Sequence, residues 1–501
     1  MDELTIKFYK WDKDFKNFFN NCKKYLNIYN PQFYFPILSL YIYYHNTKYS
    51  HKKIDLDRRY ILREILNIDY LKYYNSNSII KSIIFDNKLK IYNEEELFCK
   101  CMPLLDPLHF IMNNYNNFSK RNSLLPSNYN FNTFDKLNNM NNNAYIDTFF
   151  GYLCSELTIN NISPSFSKFY GTVNGISNKF HYDITEEYDE IKNEKWFSRN
   201  LGKLFTIDMY VDSDDDESIS SMNSSVKSST KSSTKSSKSS IKSSSSILSN
   251  SSSESILSEN NNDYICIIKD IPVQFFFIEK LDGTMEDFLT EENINKDLIL
   301  SCILQISIAL HLLQKKFLFT HNDLHINNIM YTKTDKTYLY YKFNNIYFKV
   351  PTFGYIFKII DFGRSIFTFN NKVFFNDTFD RHGEAEGQYT YPNKHLLFMN
   401  DKSDFIKPNF NFDLCRLAIT ILDEINLEDS DDNKEFIDFI KSLTLSSENE
   451  YLYKLDDNFD MYIEIAKKAN NSRPCEVIKN NIFNKFRIKK KQLPKKNYYS
   501  C

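Results

Sequence analysis

A short polar loop between two apolar runs constrains this chain more than any other feature. The loop reads THNDLHINNIM from Thr320 to Met330, and it follows an apolar run at residues 297–316 (DLILSCILQISIALHLLQKK). The apolar residues of that run recur at helical spacing, which predicts a buried helix. Within the loop, Asp323 stands five residues before Asn328. Asn and Asp are also common in ordinary turns, so the loop alone does not distinguish a turn from a chemical site.

A second carboxylate follows the loop at the end of a predicted strand. The segment Tyr338–Val350 (YLYYKFNNIYFKV) has two strand-like runs around an Asn-Asn pair, which predicts a hairpin. A further short apolar run then leads into Asp361-Phe362-Gly363. Three-residue strings recur by chance, but a buried helix, His-x-Asp-(x)4-Asn, a hairpin and Asp-Phe-Gly in this order form a specific pattern.

The composition allows a large folded core and argues against several other classes of protein. The 501 residues are 42% hydrophobic, and the net charge of −2 gives no overall attraction to nucleic acid or membranes. The nine cysteines show neither paired metal-ligand spacing nor a secreted disulfide framework, so reduced thiols are expected. The amino-terminal residues lack a signal-peptide pattern, and the apolar-rich run Phe33–Tyr44 is too short to span a bilayer. We therefore expect an intracellular, soluble protein with no membrane partner and no specific nucleic-acid partner.

The order of segments suggests one large domain with additions. Residues 1–90 read as mainly helical, 92–107 as a strand and 145–157 as a helix. The Ser/Lys-rich segment at about 212–262 cannot bury enough apolar area to offset its ordering entropy, so we expect a disordered insert, serving as a spacer or a phosphorylation target. The basic stretch 485–496 (KFRIKKKQLPKK) is expected to be a solvated, disordered tail, with a nucleic-acid contact as the alternative.

The ordered motifs resemble those of the protein kinase superfamily. On that resemblance, Asp323 matches the catalytic-loop aspartate that takes the proton of the acceptor hydroxyl, and Asn328 and Asp361 match the two Mg²⁺ ligands. His321 matches the histidine that braces the loop. Asp413, in NFDLCRL, matches the buried aspartate that holds the loop backbone, with an ordinary carboxylate at a helix start as the alternative. Such groups supply the positioning and charge neutralisation that phosphoryl transfer needs.

The same resemblance requires a strand lysine paired with a helix glutamate, and a hinge that contacts ATP. Lys100, in LFCK, fits the lysine, with an exposed strand lysine as the alternative. Glu156, on the predicted helix, fits its partner, with a surface carboxylate as the alternative. The segment FFFIEKLDG is similar to a kinase hinge, in which the backbone of Glu279, Lys280 and Leu281 would face the adenine ring.

Several positions depart from the usual kinase pattern. No glycine precedes Gly151, so a Gly-rich loop is missing, and a glycine-free turn near Tyr73–Ser78 would have to cover the phosphates. Asn322 replaces the arginine of the catalytic loop, which makes switching by activation-segment phosphorylation unexpected. His325 replaces the lysine that usually touches the transferred phosphate, and GEAEGQYTYP stands where Ala-Pro-Glu is usual. The histidine at 325, the hairpin before Asp-Phe-Gly and the missing Ala-Pro-Glu are similar to haspin-like atypical Ser/Thr kinases. The bias towards Asn, Lys, Ile, Tyr and Phe, with LFCKCMPLLDP, GEAEGQYTYP and FDLCRLA, resembles protein kinases of giant DNA viruses of the mimivirus type.

The resemblance covers about residues 92–425 and implies a two-lobed α+β fold, with a β-rich small lobe and a mainly helical large lobe. The implied function is ATP- and Mg²⁺-dependent phosphoryl transfer to Ser/Thr hydroxyls of a protein substrate, which could include the Ser-rich insert of the same chain. If the source is viral, the expected location is the host cytoplasm or the virion. The implied divisions are a helical amino-terminal extension or start of the small lobe (1–90), the small lobe with its insert (91–278), the large lobe (279–480) and a basic tail (481–501).

Two other interpretations stay open. Small-molecule kinases of the aminoglycoside and choline type share the fold and the HNDLHxxN loop, although their signature at the Asp-Phe-Gly position usually differs. A pseudokinase that serves as a binding scaffold would account for the missing glycines and for Asn322. That alternative does not account for the retention of Lys100, Glu156, Asp323, Asn328 and Asp361.

Overall fold

The structure is a computed structural model, and it describes only part of the chain. The described residues are 4–11, 14–42, 53–70, 76–115, 124–128, 133–211, 220–221, 262–289, 294–379, 383, 385–389, 408–425, 431–456 and 459–501. Nearly all of the Ser/Lys-rich insert predicted at about 212–262 lies outside these residues, as does the first half (73–75) of the predicted phosphate-covering turn.

Within the described residues the chain is a mixed α/β structure with several sheets. The helices are α1 (Phe15–Tyr25), α2 (Pro107–Ile111), α3 (Asp135–Asn138), α4 (Asn143–Ile159), α5 (Tyr188–Ile191), α6 (Lys195–Asn200), α7 (Lys296–Phe317), α8 (Phe412–Glu424), α9 (Asp431–Leu443), α10 (Phe459–Lys468) and α11 (Pro474–Val477). The strands are β1 (Phe8–Tyr9), β2 (Ile28–Gln32), β3 (Asp55–Leu56), β4 (Tyr60–Tyr70), β5 (Ser78–Asp86), β6 (Ile91–Pro103), β7 (Phe169–Ser177), β8 (Phe180–Asp183), β9 (Phe205–Val211), β10 (Ser220–Ser221), β11 (Asn262–Ile268), β12 (Ile271–Glu279), β13 (Gly283–Thr284), β14 (Ile329–Lys333), β15 (Tyr338–Phe343), β16 (Ile346–Pro351), β17 (Tyr355–Ile359), β18 (Phe367–Phe369), β19 (Lys372–Phe374), β20 (Arg487–Ile488) and β21 (Tyr499–Ser500).

A six-stranded antiparallel sheet supports the first helices. Its strand order is β2-β7-β12-β6-β5-β4. Along β12, Phe275 and Phe277 join the apolar cluster that contains α1, whereas Phe276 joins the cluster that contains α4. Successive side chains of a strand point to opposite faces, so α1 and α4 cover the two faces of this sheet. Gly151 lets α4 lie against the ring of Phe276, because a Cβ atom there would be 2.6 Å from that ring.

The prediction that residues 1–90 are mainly helical is wrong. The α-helix described in this range is α1, whereas β4 and β5 contribute two long strands to the six-stranded sheet. The pairing of β4 with β5 shifts register at two points, between Leu62 and Glu64 and between Ile65 and Asn67. Each bulge moves the following side chains to the other face of the strand, so the apolar residues of β4 do not alternate in sequence.

Residues of α8, α9 and α11 belong to the same apolar cluster as α7, which was correctly predicted as a buried helix. Most residues of α7 are buried. Among the described helices, α7 is the one that is long and apolar enough to cross a membrane, but 89% of its apolar 18-residue stretch is buried inside the protein. Burial in the core therefore accounts for the apolar character of α7. The helix ends at Phe317, and the next residue, Leu318, has a φ of +50° that turns the chain into the polar loop. After the loop, β14 pairs with β17, so that Ile329 stands opposite Ile359.

The predicted hairpin is confirmed, but the predicted disordered tail is not. Strands β15 and β16 pair antiparallel over six residues each. The carboxy-terminal segment adds β20 beside β16 and β21 beside β15, the latter in parallel. Ile482, Phe483 and Phe486 are buried. Their apolar side chains alternate with the basic ones and attach the tail to the core, which a count of lysines does not reveal.

Candidate active site

Two strands and one helix bring three charged side chains together. Nζ of Lys100, in β6, lies 2.7 Å from Oδ2 of Asp147 in α4 and 3.0 Å from Oδ1 of Asp361, just after β17. Oδ1 of Asp147 accepts a hydrogen bond of 2.8 Å from the backbone N–H of Phe362. The side chain of Asp147 is 2% exposed and that of Asp361 is 45% exposed. Lys100 therefore bridges a buried carboxylate and an open one.

The predicted pairing of Lys100 with Glu156 is wrong, because Asp147 occupies the partner position. Asn160 donates to Oε2 of Glu156 at 3.5 Å. Burial, together with Asp57, raises the pKa of Glu156 to about 7. Asp147 and Glu156 are nine residues apart on one helix, which at about 100° per residue places them on opposite sides. A helix that directs Asp147 at Lys100 directs Glu156 away from it.

The charges of this cluster stabilise one another. Burial by itself would lower the pKa of Lys100, but the carboxylates of Asp147 and Asp361 outweigh that effect and raise it. Burial raises the pKa of Asp147, against the opposing effect of Lys100. For Asp361, partial desolvation by the surrounding protein acts in the same direction, but the attraction of Lys100 holds its pKa below the usual value. The lysine is thus a protonated cation with carboxylates on two sides.

The backbone of the polar loop is held by Asp413, as predicted. The backbone N–H of His321 donates to Oδ1 and Oδ2 of Asp413, and that of Asn322 donates to Oδ1, each at 3.0 Å. Asp413 is fully buried at the start of α8, and burial raises its pKa against these hydrogen bonds and the effect of His321. Nε2 of His321 donates to the carbonyl oxygen of Ile360 at 2.9 Å, which ties the loop to the strand that leads to Asp361.

Asp323 projects from this braced loop toward two residues from other elements, Tyr462 and Arg364. The hydroxyl of Tyr462, in α10, donates to Oδ1 of Asp323 at 3.0 Å, and a guanidinium nitrogen of Arg364 lies 3.9 Å from the same atom. The side chain of Asp323 is 27% exposed. The guanidinium groups of Arg364 and Arg416 lie over the ring of Tyr462, at 5.8 and 5.0 Å from its centroid. The carboxylate is therefore oriented and remains open to solvent on one side.

Asn328 and Asp361 approach each other through the backbone. The N–H of Ile360 donates to the carbonyl oxygen of Asn328 at 3.1 Å. Nδ2 of Asn328 donates to the carbonyl oxygen of Asp323 at 2.8 Å and contacts Nε2 of His325 at 2.9 Å. Burial lowers the pKa of His325, although Asp323 opposes this, so the ring is suited to accept that hydrogen bond. With Nδ2 engaged twice, Oδ1 of Asn328 is the amide atom left for a further ligand.

The oxygens of Asn328 and Asp361 suit a magnesium ion that is shared with a nucleotide better than a metal ion enclosed by protein ligands alone. Among the described residues, no group of three or more His, Cys, Asp or Glu side chains gathers around one point. Mg²⁺ prefers hard oxygen ligands and is commonly held by one or two protein groups together with the phosphates of a nucleotide. An amide oxygen and an exposed carboxylate match that requirement.

Asn322, which stands in place of the usual arginine, is part of a neutral contact. Asn322 is fully buried with a φ of +65°. Its Nδ2 donates to the carbonyl oxygen of Arg364 at 2.9 Å, and its Oδ1 accepts a bond of 2.5 Å from the hydroxyl of Tyr389. This links the loop to the segment after Asp-Phe-Gly without any charge. The rest of the GEAEGQYTYP motif from Thr390 onward lies outside the described residues.

Two of the predicted hinge residues, Glu279 and Lys280, form ion pairs with other elements. The N–H of Glu279 donates to the carbonyl oxygen of Lys168, and its Oε2 lies 2.6 Å from Nζ of the buried Lys358. Nζ of Lys280 lies 2.7 Å from Oε2 of Glu96. Glu279 thus joins the six-stranded sheet to β17. A contact of Glu279 and Leu281 with adenine stays a prediction.

The residues that the sequence did not single out are Asp147, Tyr462 and Arg364. Asp147 lies in the same predicted helix as Glu156, and the helical period offered a choice between the two. Arg364 directly follows Asp-Phe-Gly. Tyr462 is 139 residues beyond Asp323 and carries no motif, so only the tertiary structure reveals it.

Comparison with known proteins identifies partial relatives. Over 177 residues, 34% of this chain, the sequence is 25% identical to the serine/threonine-protein kinase haspin homolog of Drosophila melanogaster, covering 31% of that protein. This is a kinase-like similarity over one third of the chain. Over 72 residues, 14% of this chain, it is 43% identical to the uncharacterized protein 098R of Invertebrate iridescent virus 6, covering 12% of that protein. The chain spans less than a third of each relative's length, and no family model matches it.

Proposed function

We propose that this protein transfers the γ-phosphate of ATP to serine or threonine hydroxyls of a protein substrate. The observation that carries the proposal is the contact of Lys100 with both Asp147 and Asp361, beside a loop that presents Asp323. These residues are far apart in sequence and lie on different elements. The partial similarity to a haspin homolog supports the same assignment.

Lys100 is the proposed phosphate-binding cation. Its ammonium group is fixed between Asp147 and Asp361, so its position does not depend on a bound nucleotide. Because Asp147 also accepts the N–H of Phe362, the lysine and the Asp-Phe-Gly turn are held by one carboxylate. Such preorganisation removes the cost of orienting the charge when the phosphate binds.

Asn328 and Asp361 are the proposed ligands of Mg²⁺, which when bound neutralises phosphate charge and orients the phosphoryl group. The amide oxygen of Asn328 is presented by the bonds that Nδ2 makes with Asp323 and His325. In this arrangement His325 acts on the metal ligand rather than on the phosphate. The carboxylate of Asp361 is kept ionised by Lys100.

Asp323 is the proposed base for the acceptor hydroxyl. Asp413 holds the backbone on its amino-terminal side, and Tyr462 and Arg364 fix its carboxylate. The open side of Asp323 leaves room for a hydroxyl to donate to it. A protein base that takes the acceptor proton contributes roughly 10²- to 10⁴-fold to such reactions.

The proposal is tested by identifying the product. The purified chain is incubated with Mg²⁺-ATP and a Ser/Thr-rich acceptor peptide, and phosphorylated residues are mapped by mass spectrometry on the peptide and on the chain, including its Ser-rich insert. Phosphoserine or phosphothreonine that is absent from Asp361→Ala supports the proposal. Mg²⁺-ATP binding by calorimetry without any phosphorylated protein would contradict it and would favour a small-molecule kinase or a nucleotide-binding scaffold.

A further inference from the structure

The hairpin β15–β16 has an outer face made of alternating tyrosine and lysine. Along β15 the side chains of Leu339, Tyr341 and Phe343 are buried, whereas those between them are partly or fully exposed. Along β16 the buried residues are Phe348 and Val350. The outer side chains, which we call the tyrosine–lysine face, are Tyr338, Tyr340, Lys342, Tyr347 and Lys349.

The register of the hairpin sets the rings and the cations side by side. Tyr340 stands opposite Lys349, and Lys342 stands opposite Tyr347. Nζ of Lys349 lies 3.8 Å from the centroid of the ring of Tyr338, which is 39% exposed. Each aromatic ring on this face therefore has an ammonium group as a cross-strand or diagonal neighbour.

Two long stretches of sequence that form and flank this face contain no negatively charged side chain. Residues 336–360 and 477–501 contain no Asp or Glu, although the whole chain has a net charge of −2. Lysines in these stretches that are exposed in the structure are Lys336, Lys479, Lys485, Lys489, Lys490, Lys491, Lys495 and Lys496. Among the described residues, the ion pairs of the carboxy-terminal segment are those of Lys479 with Glu476 and of Lys485 with Asp297. The lysines beyond residue 485 and those of the face have no described carboxylate partner.

The carboxy-terminal segment is fixed beside the face. Ile488 stands opposite Tyr347, and Ser500 stands beside Lys342. The ring of Tyr499 packs against that of the buried Tyr341, at 5.5 Å between centroids. The basic residues 489–496 are thus held between two strands that both belong to the sheet of the face, rather than on a free tail.

We propose that the tyrosine–lysine face binds single-stranded nucleic acid. Open aromatic rings on a sheet stack with unpaired bases, and neighbouring lysines neutralise the backbone phosphates. A base pair in a duplex hides its ring faces, and the carboxylates of an acidic peptide engage lysines but do not stack on tyrosine rings, so the combination of ring and cation favours a single strand over both. This inference goes beyond the proposed phosphoryl transfer and does not depend on it.

The test measures how a fluorescein-labelled, mixed-sequence 20-nucleotide strand binds to the full chain. Fluorescence anisotropy reports the binding at salt concentrations between 50 and 200 mM. RNA and DNA versions of the strand are separate arms that distinguish the two sources. We expect binding that weakens with salt, with a slope of roughly −0.7 for each phosphate contacted. Tyr340→Ala/Tyr347→Ala is expected to weaken binding about 5- to 150-fold for each stacked base that is lost. Tyr340→Phe/Tyr347→Phe retains both rings and is expected to bind like the wild type.

Charge is tested by Lys342→Glu/Lys349→Glu, which should weaken binding and flatten the salt dependence. Lys23→Glu/Lys24→Glu makes the same charge change on exposed positions of α1 and should bind like the wild type. Asp323→Ala should also bind normally, which separates this inference from the proposed catalysis. The inference is overturned if the wild type fails to bind at 50 mM salt, or if the alanine variant binds normally. It is also overturned if a duplex binds equally well, or if polyglutamate of equal charge displaces the strand.

Discussion

Asp147 holds Lys100 with one carboxylate oxygen and the backbone of Phe362 with the other. The two bonds couple β6, α4 and the Asp-Phe-Gly turn, so that the strand lysine and Asp361 cannot move independently. An aspartate has one methylene fewer than a glutamate, and α4 lies close enough to the sheet for the shorter side chain to reach. The close approach is visible at Gly151, which leaves room for the ring of Phe276.

Replacing Asp147 tests whether it is the partner of Lys100. Asp147→Asn keeps the shape but removes the charge, and the misplaced lysine should lower the turnover of ATP roughly 10²-fold. Glu156→Gln is the matched control in the same helix and should leave the turnover within about twofold. Initial rates of both variants check this, together with thermal unfolding to show that each is folded. The opposite ranking of the two variants would restore Glu156 as the partner.

Glu156 makes a separate prediction about stability and pH. Its pKa in the folded chain is raised from 4.5 to about 7, so the folded state holds this proton more tightly than the unfolded state. Stability is therefore lost as pH rises from about 4.5 through 7. This rise in the pKa of Glu156 corresponds to at most roughly 3 kcal/mol of unfolding free energy, before allowance for partial exposure of the side chain. Glu156→Gln should raise the melting temperature relative to wild type at pH 8 and have little effect at pH 4.5. An equal effect at both values would argue against a raised pKa.

Removing the hydroxyl of Tyr462 tests the orientation of Asp323. Tyr462→Phe keeps the ring beneath Arg364 and Arg416 but loses the bond to the carboxylate, which should lower kcat about 10- to 100-fold. KM for ATP should change little, because Lys100 and the proposed metal ligands are untouched. Tyr453→Phe, at a half-buried position nearby in the chain, is the control. A change in KM with kcat preserved would assign Tyr462 to binding instead.

Restoring the usual arginine at position 322 should damage the protein. Asn322 is fully buried between Tyr389 and the carbonyl group of Arg364, with a φ of +65°. Among the described residues, the side chain of Asn322 contacts only neutral groups, so burying a guanidinium group in its place should cost on the order of 3 kcal/mol. Urea unfolding of Asn322→Arg measures this, and Asn327→Arg, on the exposed side of the same loop, should change stability by less than about 0.5 kcal/mol. Equal stability of the two variants would show that the site tolerates charge.

Phosphatase treatment gives a further check on the neutral contact between Asn322 and Tyr389. The loop is already tied to the following segment without a phosphate, so we expect the rate of phosphate transfer to be the same before and after treatment. Kinetics with a defined acceptor peptide would measure it. A large loss of rate after treatment would mean that a phosphorylated residue, not this hydrogen bond, orders the segment.

The local sequence was enough to predict the elements in which apolar residues recur at regular spacing or in which a specific motif occurs. The helix α7, the hairpin β15–β16 and the start of α8 were found because long apolar runs and paired strand-like runs determine their own structure. The role of Asp413 was predicted through the resemblance of NFDLCRL to a kinase motif. For the helix α7, the hairpin and the start of α8, the signal lies within one element and does not depend on its neighbours.

The rest depended on contacts between distant elements. The bulges of β4 disguise a strand, and they exist only in its pairing with β5. The choice between Asp147 and Glu156 depends on which side of α4 faces the sheet, which the sequence of the helix does not specify. Tyr462 reaches Asp323 from a helix without any motif, and the tail is held by strands that it joins at their edges. Tertiary packing decides all four.

The most direct test of the proposed function is the single-turnover rate of phosphate transfer from labelled Mg²⁺-ATP to a serine-containing peptide, for the wild type and Asp323→Ala. Asp335→Ala, at an exposed aspartate after β14, serves as the matched control. We predict transfer by the wild type and the control, and a rate roughly 10²- to 10⁴-fold lower for Asp323→Ala. Transfer by Asp323→Ala at the wild-type rate would contradict its role as the base, and no transfer by the folded wild type would contradict the kinase assignment.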